Sequence, residues 1–347
     1  MRIGSIVLDF QKSILLDRPS KEVRLMRSRR RIIALWLLFA LGLFVYLNQS
    51  SVLFKHQPSA PYLLAHRGLA QTFPMSGITA QTNTAARIYE PEHPYLENTL
   101  ASMEAAFAAG ADMVELDIQM TRDRQLAVFH DSLLEYRTDL TGRVRDYTMK
   151  DLRLADVGYG YTADEGKSYP FRGKGVGLMP SLDEVFSHFP DHALLIHIKN
   201  TEPEEAELLV RYLDALPPER LSQVAVYGPD KSIELVSSAF GELRVASRQK
   251  MMKSVISYVF LGWTGYVPPG LRNSYLPLPL RYARMLWGWP HRFVQRMQRV
   301  NTLFVLVAGD GTWSEGFDTP EDIEQIPRGY SGGIWTNRVD VIAPLVK

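Results

Sequence analysis

Cysteine is missing from all 347 residues, which excludes disulfides, thiol nucleophiles and thiolate metal sites while leaving the redox compartment open. An excess of one charge sign is nearly missing as well: the net charge is +1, so composition gives no reason to expect nucleic acid as a partner. No internal repeat and no low-complexity tract runs through the chain, which sets aside solenoids and biased linkers. Stability must then come from a buried core. A globular stretch of about 290 residues is long enough to bury one, and suits a single large α/β barrel better than two ordinary domains. No obligate protein partner is indicated.

The small net charge conceals an asymmetry. Residues 1–31 carry nine Lys/Arg against three Asp/Glu, a charge of +6, which leaves −5 for the remainder. Residues 32–47 are uncharged and apolar, with Trp36, Phe39, Phe44 and Tyr46 among them. A helix over that run reaches about 24 Å, short of the ~30 Å hydrocarbon core of a bilayer, and continuing to Phe54 supplies the missing length. The pattern predicts a basic cytoplasmic segment at 1–31, one transmembrane helix at 32–54 and a short linker with Pro58 at 55–60. The positive-inside rule then places the folded part, 61–347, outside the cytoplasm, on the periplasmic or extracellular side. A cleaved signal peptide is the rival. Against it stand the long basic region and the lack of a small-x-small cleavage site.

Within 61–347, apolar β-favouring runs alternate with helical stretches, and eight candidate strands favour an α/β fold of the (β/α)8 TIM-barrel type. They are 62–66, 113–118, 126–130, 193–199, 223–227, 243–246, 302–307 and 333–336. Between the first two, Leu100, Met103 and Phe107 recur at helical spacing, with Asn98 as N-cap and Gly110 as stop. Several runs close on groups that are costly to bury unpaired: His66 and Arg67, Glu115 and Asp117, His130 and Asp131, His197 and Lys199. Parallel α/β folds gather such groups at the carboxyl ends of their strands, where active sites sit. Glu115 and Asp117 lie two apart in one strand and so share a face, as a divalent cation with oxygen ligands requires. Two histidines can divide the proton transfers of a hydrolysis between a base and an acid.

These motifs resemble the glycerophosphodiester phosphodiesterase family, one of the phosphatidylinositol-phospholipase-C-like phosphodiesterase barrels. The matching stretches are His66-Arg67-Gly68, Glu97-Asn98-Thr99, Gly110-Ala111-Asp112, Glu115-Leu116-Asp117, Phe129-His130-Asp131 and Met179-Pro180-Ser181-Leu182-Asp183-Glu184. The resemblance is dense from about residue 61 to 200 and thins afterwards, and its ordered combination is what makes it specific. It implies a (β/α)8 barrel with an insertion after an early strand. It also implies His66 and His130 as the catalytic acid/base pair, Glu115 and Asp117 as metal ligands, and Arg67 and Lys199 as contacts to the substrate phosphate. Glu97 and Asn98 stand as supporting residues, by helix capping, by loop support or near metal and substrate. The implied cofactor is a divalent cation, Mg²⁺ or Ca²⁺.

The chain departs from the family pattern in three places. His197-Ile198-Lys199 replaces Glu-x-Lys, so a carboxylate ligand becomes imidazole. His197 joins the expected metal ligands and opens the site to Mn²⁺, Co²⁺ or Zn²⁺. Leu303-Phe304-Val305-Leu306-Val307 stands where Trp-Thr-Val-Asn is usual, and Thr336-Asn337-Arg338-Val339 where Thr-Asp-Arg-Pro is usual. By the resemblance, both lie on the barrel wall that commonly helps shape the alcohol pocket in the family.

Two long excursions are expected. Residues 131–179, rich in Gly, Tyr and charge, form an insertion after the third candidate strand that sits over the barrel mouth. Residues 251–300 begin apolar and end with five arginines and no acid between Arg281 and Arg299, interleaved with Trp287 and Trp289. This composition suits either an interfacial segment facing membrane lipid or a barrel helix with a solvated basic face. The reading is a membrane-anchored, metal-dependent hydrolase that cleaves glycerophosphodiesters to an alcohol and a glycerol phosphate. A lysophospholipase D acting on lysophospholipid is the alternative enzyme, and a catalytically reduced binding or envelope-scaffolding protein the alternative of another class.

Overall fold

The computed structural model describes residues 21–50, 59–79, 81–312 and 315–347, with Val23 in backbone only. The chain falls into two units, Met1–Leu53 and Phe54–Lys347. In the first, a single helix runs over Lys21–Gln49, and its Arg24–Gln49 portion is long and apolar enough to cross a membrane. The helix therefore starts within the basic cluster, ahead of the expected residue 32, and reaches the needed length without residues beyond Gln49. Residues 1–20 of the basic segment, the end of the expected span at 51–54 and most of the expected linker lie outside the described residues.

The second unit is a closed barrel. Its strands are β1 (Tyr62–His66), β2 (Met113–Met120), β3 (Leu126–Val128), β4 (Ala193–Ile198), β5 (Val224–Tyr227), β6 (Arg244–Ala246), β7 (Ser274–Pro279), β8 (Thr302–Val307) and β9 (Gly333–Thr336). Eight of them pair in parallel in the order β1-β9-β8-β7-β6-β5-β4-β2, and β1 pairs with β2 to close the ring. The remaining strand, β3, is antiparallel to β2 and lies outside the ring. The third candidate strand is thus one arm of a hairpin. The ring member in its stead is β7, within the 251–300 excursion, where Pro277 and Pro279 break the usual strand signal.

Side-chain alternation divides each strand between two cores. Leu64, Met113, Leu195, Ala225, Ala246, Tyr275, Val305 and Trp335 fill the barrel interior. The neighbouring positions Leu63, Val114, Leu116, Leu194, Ile196 and Val226 pack outward beneath the helices. The 131–179 excursion has a core of its own, in which Leu134, Val144, Leu152, Tyr161 and Phe171 join Phe129 and Leu96. Asp156 fastens its turns, with Oδ1 accepting from the backbone N–H of Gly158 and Gly175 at 3.0 and 2.9 Å.

The helix Leu100–Ala108 starts at Thr99, whose side chain accepts from Ser102 N–H in a capping box. Asn98, the expected cap, is one residue short of that position and left-handed, at φ +58°. The end of β1 turns sharply, with Arg67 at φ +60° and Gly68 at φ +83°. A Cβ on Gly68 would stand 2.7 Å from the Ser102 carbonyl carbon. We expect Gly68→Ala to destabilise by about 1–3 kcal/mol, through left-handed strain and this contact. Thermal unfolding checks it: an unchanged midpoint would mean that the turn relaxes away from Ser102.

Candidate active site

Register assembles the site. The β1–β2 pairing sets His66 beside Glu115, β2–β4 sets Asp117 beside His197, and β4–β5 sets His197 beside Tyr227. Because these positions share parity with the interior core residues, their side chains all turn into the barrel at its carboxyl end. His66 Nε2 lies 4.0 Å from Glu115 Oε2. His197 Nδ1 lies 2.8 Å from Asp117 Oδ1 and 3.8 Å from Glu115 Oε1. The His197 ring stacks on Tyr227 at 4.0 Å and 12°, and Tyr227 donates its hydroxyl to Glu115 Oε1 at 2.7 Å.

The two carboxylates are buried together, and their environments push them apart. Burial and the Asp117 charge raise Glu115 to about 8. Asp117 feels the same burial, but Lys199, His130 and Arg67 outweigh it and hold the group well below the usual carboxylate range. Lys199 Nζ and Arg67 Nε stand 3.5 and 3.3 Å from Asp117. Asn98 grips the same residue twice, donating from Nδ2 to Oδ2 at 3.0 Å and accepting the Asp117 N–H at 3.1 Å. Its role is therefore to orient a carboxylate, while Thr99 caps the helix.

The histidines differ in what backs them. His66 Nδ1 meets Asn337 Oδ1 at 2.7 Å. The Asn337 amide is oriented by its Nδ2, which donates to Asp318 at 2.8 Å, so the oxygen faces His66 and Nδ1 carries the proton. Burial, then the Arg67 charge, lower His66 well below its ordinary value. His130 Nδ1 lies 2.7 Å from the Asp131 carboxylate, whose other oxygen is 2.8 Å from Arg137 Nε. Burial alone would raise Asp131, but Arg137 and His130 reverse it and keep the group ionised. His130 is itself lowered by burial, Arg67 and Lys199, with Asp131 and Asp117 opposing. Gln119 holds this segment by donating to the Phe129 and Asp131 carbonyls at 2.9 and 2.8 Å.

All nine sequence-selected residues thus join one network. Glu97, expected as a supporting residue, bridges Arg67 at 3.1 Å and Arg137 at 3.2 Å. Arg137, Tyr227 and Asn337 belong to the same network and were not among the sequence-selected residues. Arg137 had one available signal, its place seven residues after His130 in the insertion that emerges from that strand end.

A divalent ion fits this donor set. Glu115, Asp117 and His197 offer ligand atoms all within 4.8 Å of one another. Glu115 Oε2 is buried without a hydrogen-bond partner, a cost that coordination would remove. Burial holds His197 at about 4, so its imidazole is neutral at physiological pH, as a ligand must be. Two carboxylates and an imidazole suit Mn²⁺, Co²⁺ or Zn²⁺ better than an all-oxygen site would.

A model of the glycerophosphoryl diester phosphodiesterase family matches residues 66–253. A glycerophosphodiester phosphodiesterase of Bacillus subtilis (strain 168) is 40% identical over 108 residues, covering 30% of this chain and 34% of the relative. A lysophospholipase D of Homo sapiens is 27% identical over 208 residues, covering 56% of this chain and 60% of the relative. The chain therefore spans from a third to three fifths of the length of these relatives. Among solved structures, the glycerophosphoryl diester phosphodiesterase domain of a Mycobacterium tuberculosis protein superposes with a TM-score of 0.58 at 16% identity. It covers 83% of this chain and 99% of that domain. An Oleispira antarctica phosphodiesterase in complex with the product sn-glycerol-3-phosphate gives 0.52 at 15% identity, over 83% and 98% of the two chains. At these identities the solved structures show a shared fold.

Two measurements follow from this geometry. Arg137→Met leaves Asp131 and Glu97 facing each other across a buried gap, and removing one partner from such a network costs about 3–5 kcal/mol. The loss should be largest near neutral pH. The depressed Asp131 contributes stability above its unfolded pKa, and that contribution fades as pH falls toward its lower folded value. A loss that does not shrink on acidification would place the effect in packing alone. For metal binding, Glu115 is protonated below about 8 and must shed that proton to ligate. Calorimetry should show ion affinity rising with pH up to about 8; a flat profile would remove Glu115 from the ligand set.

Proposed function

The chain belongs to the glycerophosphoryl diester phosphodiesterase family, and we propose that it hydrolyses glycerophosphodiesters to an alcohol and a glycerol phosphate, with His66 as base and His130 as acid. The observation that carries this reading is the unequal backing of the two histidines. A neutral amide oxygen fixes the His66 tautomer and leaves Nε2 with its lone pair. An ionised carboxylate faces His130 Nδ1 and supports an imidazolium there. His66 takes the proton from the attacking oxygen, whether water or a neighbouring glycerol hydroxyl. His130 gives a proton from Nε2 to the leaving alkoxide. Arg67 and Lys199 present their charges to the nonbridging oxygens; burial is the larger cause of the depression of both histidines, and substrate charge offsets the further lowering by Arg67 at both and by Lys199 at His130. A divalent cation held by Glu115, Asp117 and His197 would supply Lewis-acid polarisation of the phosphoryl group.

The Arg24–Gln49 helix is the membrane anchor in this reading, single-pass, with the N-terminus cytoplasmic and the barrel extracytoplasmic. A second reading, lysophospholipase D activity, is favoured by the match to the human relative. A catalytically reduced binding protein is disfavoured, because a binder has no use for two fully supported proton-transfer groups.

The deciding experiment offers glycerophosphocholine, glycerophosphoethanolamine and a lysophospholipid to the full chain in detergent, each with Mg²⁺, Ca²⁺, Mn²⁺, Co²⁺ or Zn²⁺. We expect metal-dependent turnover that falls by about 10²–10⁴-fold in His66→Ala and in His130→Ala. Asp131→Asn should lower kcat/KM by about 10–100-fold. It should also move the alkaline limb of the pH profile to lower pH, since Asp131 raises His130. An alkaline limb that stays in place would assign the acid to another group. Absence of turnover by folded, metal-loaded protein would favour the binding reading.

A further inference from the structure

From Leu243 to Gly309 the chain runs 67 residues without one Asp or Glu, while carrying ten Lys/Arg. This stretch contains β6, β7, β8 and the helices between them. Part of its charge converges on a cleft of about 330 Å³ lined by Gly265, Tyr266, Val267, Arg272, Arg296, Arg299 and Val300. Among the described residues, no carboxylate lines it. Arg272 and Arg299 are solvent-exposed, whereas Arg296 is buried and its Nη1 donates to Tyr258 Oη at 2.8 Å. The helix Arg248–Leu261, which ends four residues before the cleft-lining Gly265, presents Phe260, 71% exposed, and Leu261 at its end, and Tyr266 in the cleft is exposed as well. Exposed aromatic and aliphatic side chains in the same stretch as exposed arginines match the chemistry of a phospholipid interface: apolar tails below, anionic phosphates at the surface. A soluble polyanion would leave Phe260 and Leu261 without a partner.

The position of this cleft matters more than its composition. Arg272 lies two residues before β7 and Val300 two residues before β8, so the cleft lies at the amino ends of the strands, opposite the end that carries His66, His130 and Lys199. The chain also enters the barrel at that end, through residues 59–61 before β1.

We infer that the barrel docks on an anionic phospholipid bilayer through this amino-end face, with lipid phosphates between Arg272 and Arg299 and with Phe260, Leu261 and Tyr266 in the interface. The catalytic mouth then opens away from the lipid. Combined with the proposed hydrolase activity, on which this last step rests, the orientation selects water-soluble glycerophosphodiesters over lysophospholipids held in the same bilayer.

The cysteine-free sequence permits a direct test. Phe260→Cys and Leu154→Cys, the latter 70% exposed in the insertion, are each labelled with an environment-sensitive fluorophore in the full chain. The labelled chains are reconstituted into phosphatidylcholine or phosphatidylglycerol vesicles. The probe at 260 should shift to the blue and be quenched by doxyl-labelled lipid in phosphatidylglycerol, while the probe at 154 stays wet in both. Arg272→Glu with Arg299→Glu should abolish the shift at 260 and leave turnover of soluble glycerophosphocholine unchanged. A probe at 260 as wet as that at 154, or a blue shift indifferent to lipid charge and to the arginines, overturns the inference. Anchoring by the helix alone retains the chain on vesicles without moving the probe, and a failure of catalysis leaves the probe unaffected. The three readings therefore fail separately.

Discussion

Two carboxylates on one face of β2, in the dry interior of a barrel, set the terms for everything near them. At the separation found here, a pair of unit charges repels by roughly 3–4 kcal/mol at the effective dielectric of a protein interior. Desolvation adds to that for each group. The structure resolves the conflict unequally. Asp117 receives Arg67, Lys199, both Asn98 contacts and His197, and it stays ionised. Glu115 receives the Tyr227 hydroxyl on one oxygen and no hydrogen bond on the other, and it is driven toward its protonated form. One carboxylate is thus fixed in charge and geometry, and the other is left with an oxygen whose cost only a cation or a proton can remove.

The same economy of charge explains why the insertion matters to a site built mainly on barrel strands. Arg137 is buried between Asp131 and Glu97, and Glu97 also holds Arg67 at the end of β1. A continuous alternation of sign therefore runs from His130 through the insertion back to the first strand. Each buried ion is compensated by a neighbour from a different segment, so none can shift without leaving another uncompensated. A separate hydrophobic cluster steadies the insertion itself. His130 directly follows Phe129, a member of that cluster.

What was legible in the sequence follows from which interactions are local. Parity within a strand is local, and it correctly set Glu115 and Asp117 on one face, with His197 and Lys199 on another strand of the same kind. Strand direction is not local. The run at Leu126–Val128 is as apolar as any ring strand, and nothing in it distinguishes an antiparallel hairpin arm from a parallel neighbour. Conversely, β7 carries two prolines in six residues, which masks a strand whose remaining groups still pair along β8. The cap at Leu100 was misjudged by one position because Asn and Thr are both strong N-caps. The left-handed backbone and the Asp117 contacts that occupy Asn98 are tertiary. Arg137, Tyr227 and Asn337 enter from 112 to 271 residues away or through a loop whose path only the fold reveals. Asn337 gains a meaning here that its departure from the family pattern could not supply: as an amide it backs His66 without charge.

The two ends of the barrel use arginine in opposite ways. At the carboxyl end, Arg67 and Arg137 are buried and each faces two carboxylates. Their charge is largely compensated inside the protein, and what remains is geometric: Arg67 is a fixed fork beside Asp117, as the proposed contact to a substrate phosphate requires. At the amino end, Arg272 and Arg299 are exposed in a cleft that, among the described residues, no carboxylate lines. Charge of that kind is screened over about 8–10 Å in salt and discriminates little between individual anions, but it adds up over a surface. A buried, paired guanidinium suits a single substrate held in one pose; exposed guanidinium groups beside apolar side chains suit an extended anionic sheet. In the proposed function and docking, the partition of the arginines between these two environments separates recognition of a reacting phosphate from adhesion to a layer of non-reacting ones, at opposite ends of the barrel strands.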